Sequence, residues 1–420
     1  MRYKNLTLAI AILVLLAAAL GAQPILVANT QTPFKLTRTP GGNFLLAESG
    51  TGVNDGRVTL LSIWGDRFNL IGGLPSGNVP EGDDIGPTAV ADAHSTIYIV
   101  IGEGNIRGPV TTPPQNVPNA SGLDSPIFSS VIRARFTPVP DGIRTGFELT
   151  AADTTALADG NEVTLTNASG ERVQLLLLAD FRDLIPDPVL SVRNANPFAA
   201  TIVGSLTVQD LIEFAFRISG EGDPLPAAHY FARLNPDTPI GRRLEERSTV
   251  YVVDAGMNTI TSVSASTGRS RVLTRFPPLT NPLFPGLGAP VTDTVPTAIF
   301  TRGDGTFLVS VLSGFPFAAG NAKVYSVNAT TGAFTPFIEG LTTATNVIEV
   351  GGAIYVLEIS TNFLMGAPGR LLRFASPTAT PTVVAGGLIG PTGMAYEPTR
   401  NEMIISSTFT GLIRRIALTP

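Results

Sequence analysis

The sequence predicts an all-β chain closed into a six-bladed β-propeller, with a largely irregular α+β insertion between blades two and three. Three observations predict it. Short β-branched and aromatic runs alternate with Gly, Asn, Asp and Pro breaks. The runs recur as six related copies, and the fullest copies hold four runs each. The composition supplies the turns and the core: 43 Gly and 34 Pro in 420 residues, 44% hydrophobic and 15% charged.

The N-terminus precedes the repeats. Arg2 and Lys4 form a positive start, Leu6 to Leu20 is apolar, and small residues follow through Ala22. This is the layout of a secretory signal peptide over residues 1–22, leaving 23–420 as one propeller. The run is short for a span, and no other stretch approaches a spanning length, so no stable membrane span is expected after cleavage. The expected location is secreted or periplasmic. Absence of Cys fits a large core that needs no disulfide staples.

Copy one runs from Pro33-Phe34-Lys35-Leu36 through Phe44 to Glu48 and Gly56-Arg57-Val58. Copy two holds Gly86-Pro87-Thr88 and Ile97 to Ile101. Copy three opens at Asn196-Pro197-Phe198 and resumes at Val250 to Ala255. Copy four holds Pro296-Thr297, Phe307 to Val311, Ala322 to Val327 and Phe334 to Ile338. Copy five holds Thr345-Asn346, Ala353 to Glu358, Gly369 to Phe374 and Thr382 to Ala385. Copy six holds Pro391-Thr392, Met403 to Ser407 and Gly411 to Ile416, one run short. The unassigned run Ile25 to Asn29 is expected to supply the missing strand and close the ring. Extra length falls in two inserted loops, about 103–128 and 137–249. Within the second, 162–165 with 172–176 reads as a hairpin. Thr207 to Phe214 reads as a capped short helix.

With these copies assembled, the chain resembles the ScyD/ScyE family of exported NHL-like propellers, named for components of a cyanobacterial pigment cluster. The carrying residues are Val252-Val253-Asp254-Ala255-Gly256-Met257-Asn258, Leu312-Ser313-Gly314-Phe315-Pro316-Phe317, Ala322-Lys323-Val324-Tyr325 and Ile354-Tyr355-Val356-Leu357-Glu358-Ile359. The likeness is best over 250–420, fair over 33–105 and poor over 106–249. It implies six blades and no established catalytic residue. Where the family pattern often carries Arg, His and Tyr after the blade-opening Pro, this chain has Phe34, Thr88 and Phe198. That departure points to a lost or changed ligand.

The composition excludes much chemistry. Cysteine nucleophiles, Cys-held zinc and iron–sulfur clusters are impossible. Two histidines, His94 in a predicted turn and His229 in the insertion, make no multi-histidine metal motif. No GxSxG or dinucleotide fingerprint occurs. A net charge of −5 with no dense basic run argues against nucleic acid.

Channel-lining positions read from the repeats are Phe34, Thr88, Phe198, Thr297, Asn346 and Thr392. They hold no carboxylate, which makes a poor cation cage. Glu48, Glu103, Asp254 and Glu358 end matching strands, either to gather around the channel or to accept turn N–H groups. Glu81-Gly82-Asp83-Asp84 is a separate acidic turn. Phe315 and Phe317, like Trp64 and Phe68, put aromatics at turns suited to recognition. The candidate ligand-binding residues are therefore Glu48, Glu103, Asp254, Asn346, Glu358, Phe315 and Phe317. The expected function is a non-catalytic binding or scaffolding module for an extracytoplasmic protein or small molecule, without a cofactor. The alternative is a lactonase-like or other hydrolase, with calcium as the ion its oxygen donors would suit.

Overall fold

The computed structural model describes residues 24–78, 84–104, 106–107, 117–118, 124–181, 185–187, 191–204 and 245–418. The side chains of 84, 106–107, 117–118, 185–187 and 191–193 are not among those described. The predicted signal peptide, the 207–214 helix and His229 lie outside these residues, as do 81–83 of the acidic turn.

Six sheets, each built on four antiparallel strands, stand around one channel. Their innermost strands are Pro33–Arg38, Pro87–Ala93, Pro197–Val203, Pro296–Thr301, Ala344–Val350 and Pro391–Glu397. Five of the six begin with Pro, which lacks an N–H and so suits the first residue of an edge strand. The opening residue always pairs with the end of the second strand: Pro33 with Glu48, Pro87 with Ile101, Pro197 with Asp254, Pro296 with Val311, Ala344 with Glu358 and Pro391 with Ser407. A register shift follows at once in every blade. Such a bulge bends the strand and re-aims the next side chain toward the axis.

Six hydrophobic clusters hold the ring, one at each blade–blade seam. Strand alternation explains the sharing. In Phe44–Glu48, Phe44 and Leu46 face blade six, whereas Leu45 and Ala47 face blade two.

The last blade is completed from the other end of the chain. Ile25–Val27 pairs antiparallel with Leu412–Ala417, matching Ile25 to Arg414 and Val27 to Ile413. The Arg415 N–H also donates to the Pro24 carbonyl at 2.9 Å.

Segment 137–249 differs from one continuous insertion. Arg172–Asp180 is the fourth strand of blade two, paired with Ser130–Thr137, and Pro197–Val203 is the first of blade three. The run Leu175-Leu176-Leu177-Leu178 hides the alternation of that fourth strand, although Val173 and Leu175 sit in a seam. The expected hairpin is present, with Val163–Thr166 along its outer edge. Before it, Phe147–Glu148 lies parallel to blade one's outer strand, Arg67–Leu74. Helix Ala151–Ala158 follows, opened by a Thr150–Asp153 capping box. Among the described residues, no helix is long and apolar enough to cross a membrane.

Candidate functional site in the propeller channel

The second residue of each innermost strand is Phe34, Thr88, Phe198, Thr297, Thr345 or Thr392. Thr345 stands where Asn346 was expected, because Ala344 occupies the position that Pro holds in the other blades. Asn346 falls one place lower in the channel. The four threonines form a belt. Each hydroxyl donates to the opening residue of the next blade: Thr88 to the Pro197 carbonyl at 2.9 Å, Thr297 to Ala344 at 2.8 Å, Thr345 to Pro391 at 3.1 Å and Thr392 to Pro33 at 3.2 Å. These bonds stitch neighbouring blades and use the one proton each hydroxyl can donate, so toward the channel the belt offers only acceptors.

The belt is interrupted at blades one and three. There Phe34 and Phe198 meet edge to face, their ring centroids 5.5 Å apart. Lys35 reaches across beside them. Its Nζ donates to the Thr345 carbonyl at 2.6 Å and the Thr392 carbonyl at 2.7 Å, and lies 5.1 Å from the Phe198 ring centre. No carboxylate pairs with it among the described residues, and burial lowers its pKa to about 7. The sequence reading missed Lys35. Its signal was present: one of only three lysines, it sits where the other copies carry Ala89, Ala199, Ala298, Asn346 and Gly393. Those mostly small residues leave room for its long side chain. A Cβ on Gly393 would meet the Phe34 carbonyl and come within 2.9 Å of the Lys35 Cα.

Two chambers flank this septum. The upper one, at the end where the inner strands begin, is about 460 Å³ and is walled by the threonine belt with Phe34, Phe198, Phe363 and Phe409. Glu103 is the carboxylate among its lining residues, and it accepts from the Asn194 amide. The lower chamber is about 440 Å³ and includes Lys35, Asp92, Asn346 and Glu349. Burial, then the charge of Asp141, pushes Asp92 up to about 8, against a hydrogen bond from the His94 backbone. His94 sits in the turn after Asp92, where burial lowers its pKa.

The other strand-end acids face the turns that open the blades. Glu48 accepts the Gln31 N–H at 2.6 Å and the Thr59 hydroxyl. Asp254 accepts the N–H groups of Asn196 and Met257, both at 2.9 Å. Glu358 accepts the Thr342 N–H at 2.6 Å and Arg370 Nε at 2.5 Å. Burial raises Asp254 to about 6 despite these donors. Among the described residues, no three His, Asp or Glu side chains are grouped to hold a metal.

The aromatic loop lies at the upper rim. Phe315 is exposed, and Phe317 packs on Phe363 with centroids 4.6 Å apart, supporting a chamber-lining ring. Trp64 lies elsewhere, exposed on blade one beneath the Arg400 guanidinium at 4.2 Å.

No family model and no curated protein matches the sequence. The solved structures it is similar to share the β-propeller fold. A protein of unknown function from Bacteroides thetaiotaomicron shares 12% identity, covering 94% of this chain and 70% of its own, with TM-score 0.45. An auxiliary nutrient binding protein from the same organism shares 10%, covering 92% and 69%, with TM-score 0.44. A gluconolactonase from Xanthomonas campestris shares 10%, covering 96% and 93%, with TM-score 0.42. Likeness at this level goes no further than the fold, which hosts many activities.

Proposed function

We propose that the protein is an exported, non-catalytic member of the ScyD/ScyE group that binds a small, mainly apolar ligand in the upper chamber. The supporting observation is the state of the polar groups around that chamber. Its threonine hydroxyls are bonded to neighbouring blades, and Glu48, Asp254 and Glu358 are engaged by turn N–H groups. Four aromatic rings remain to meet a ligand. Apolar walls with few directed polar groups suit binding by shape and ring contact. Export rests on the Arg2–Ala22 leader pattern.

The neutral aromatic probe N-phenyl-1-naphthylamine tests this reading. It is expected to bind one per chain, and Phe198→Ala is expected to weaken binding about tenfold. Millimolar calcium is expected to leave the Tm unchanged, with no hydrolysis of a lactone probe. A calcium-dependent rise in Tm that Glu103→Gln abolishes, together with lactone turnover, would establish the hydrolase instead.

A further inference from the structure

The lower chamber contains a cation without a counter-charge. Lys35 uses two hydrogen-bonding positions of its amine on the Thr345 and Thr392 carbonyls. The third has no hydrogen-bond partner among the described residues. The other charged groups on the surrounding inner strands are already balanced. Arg38 lies 3.7 Å from Glu397, and Glu349 accepts Arg302 Nε at 2.8 Å. Blade two contributes Asp92, which burial keeps largely protonated near neutral pH. Blade six adds Tyr396, whose hydroxyl donates to Asn401. The inner strands of blades three and four, Pro197–Val203 and Pro296–Thr301, carry no titratable side chain. The chamber's remaining charge is therefore that of the Lys35 amine.

A second observation points to a ligand. Asp92 Oδ1 is buried without a hydrogen-bond partner, and Asp92 lines the same chamber. An orphaned buried acceptor or hydroxyl is costly and is normally satisfied by something bound. Beside the amine the wall carries the apolar residues Ala89, Ala199, Ala298, Val347 and Met394, with Asn346 and the threonines Thr37, Thr201 and Thr301 as its neutral polar members. About 440 Å³ is enough for a small organic molecule.

We propose that the lower chamber binds a small monocarboxylate, its carboxylate held by the Lys35 amine. The ligand's charge supplies the counter-ion that the fold omits, and its short apolar body lies against the alanine wall. A dicarboxylate or phosphate would bring more negative charge than the chamber can balance. The site lies across the Phe34–Phe198 septum from the upper chamber and does not rest on the reading given for that chamber.

Butyrate and its uncharged analogue butyramide test the proposal, by calorimetry on the full folded protein. Butyrate is expected to bind at least tenfold more tightly than butyramide at about pH 6. Its affinity is expected to fall about tenfold between pH 6 and pH 8, as the amine loses its proton. Lys35→Met is expected to abolish the preference for butyrate. Lys35→Arg keeps a charge across this range and is expected to bind butyrate with only a shallow fall, about twofold by pH 8, as Asp92 begins to ionise. If neither variant folds, the wild-type pH profile and the butyramide comparison still decide. Equal affinity for the two probes, pH-independent butyrate binding by the wild type, or no butyrate binding at pH 6 would each overturn the proposal.

Discussion

An amine enclosed without a carboxylate holds its proton less tightly in the folded chain than in the unfolded one. For Lys35 the folded value is about 7 against an ordinary 10.5. Between these values the unfolded chain carries a proton that the folded chain lacks. The unfolding free energy therefore rises with pH across that window, by up to about 1.4 kcal/mol per unit. Lys35→Met is expected to remove this slope, which urea unfolding from about pH 6 to pH 9 measures as the difference from wild type. A variant that keeps the wild-type slope would show that Lys35 is not the buried amine responsible. Asp254 acts in the opposite sense at lower pH. Its folded value of about 6 lies above 3.8, so its contribution is fully present below 3.8 and is lost as pH rises through 6. Much of this residue-scale detail was legible. Recurrent Pro-Thr pairs at 87–88, 296–297 and 391–392 mark the channel-lining threonines in the sequence itself. Blade five was misaligned by one residue because Ala344 has no Pro to mark the start. Lys35 was not legible as a site residue, because a lone cation has no charged partner in the sequence to reveal it.

Among the elements, Ile25–Val27 has an influence out of proportion to its three residues. It covers the edge of Leu412–Ala417 and puts Val27 into the seam between blades six and one. Without it, an apolar seam and a strand edge are both exposed. Deleting residues 24–30 is expected to lower the Tm by more than about 10 °C or to cause aggregation; a truncation as stable as the parent would refute the closure. The closing strand was legible because copy six was one run short. The fourth strand of blade two was harder to read. Its leucine run at 175–178 lacks period-two alternation, since a bulge leaves Leu178 extra between Leu177, opposite Ile132, and Ala179, opposite Val131, and helix Ala151–Ala158 packs nearby. The acids Glu48, Asp254 and Glu358 were legible as a repeated feature. Which way they faced was not, because their donors are mainly backbone N–H groups of turns, which every residue type but Pro supplies and no sequence pattern marks.

At the scale of the whole molecule, six seams, one between each pair of neighbouring blades, hold the apolar core of the described residues. The ring was legible from the repeats, but its division into two chambers was not, since the septum joins Phe34 and Phe198 across blade two. Joining the first strand to the last blade has a further consequence. Pro24 and Arg415 are in hydrogen-bond contact, so the two ends of the described propeller, residues 24 and 418, lie at the ends of neighbouring strands of one blade. Which blade is interrupted is then a matter of where the ring is cut. A circular permutant that links Leu418 to Pro24 through a few glycines, with new ends at the exposed Gly303–Gly305 turn, is expected to fold to a Tm within a few degrees of the parent. In that molecule blade four would be the one sewn shut from both ends.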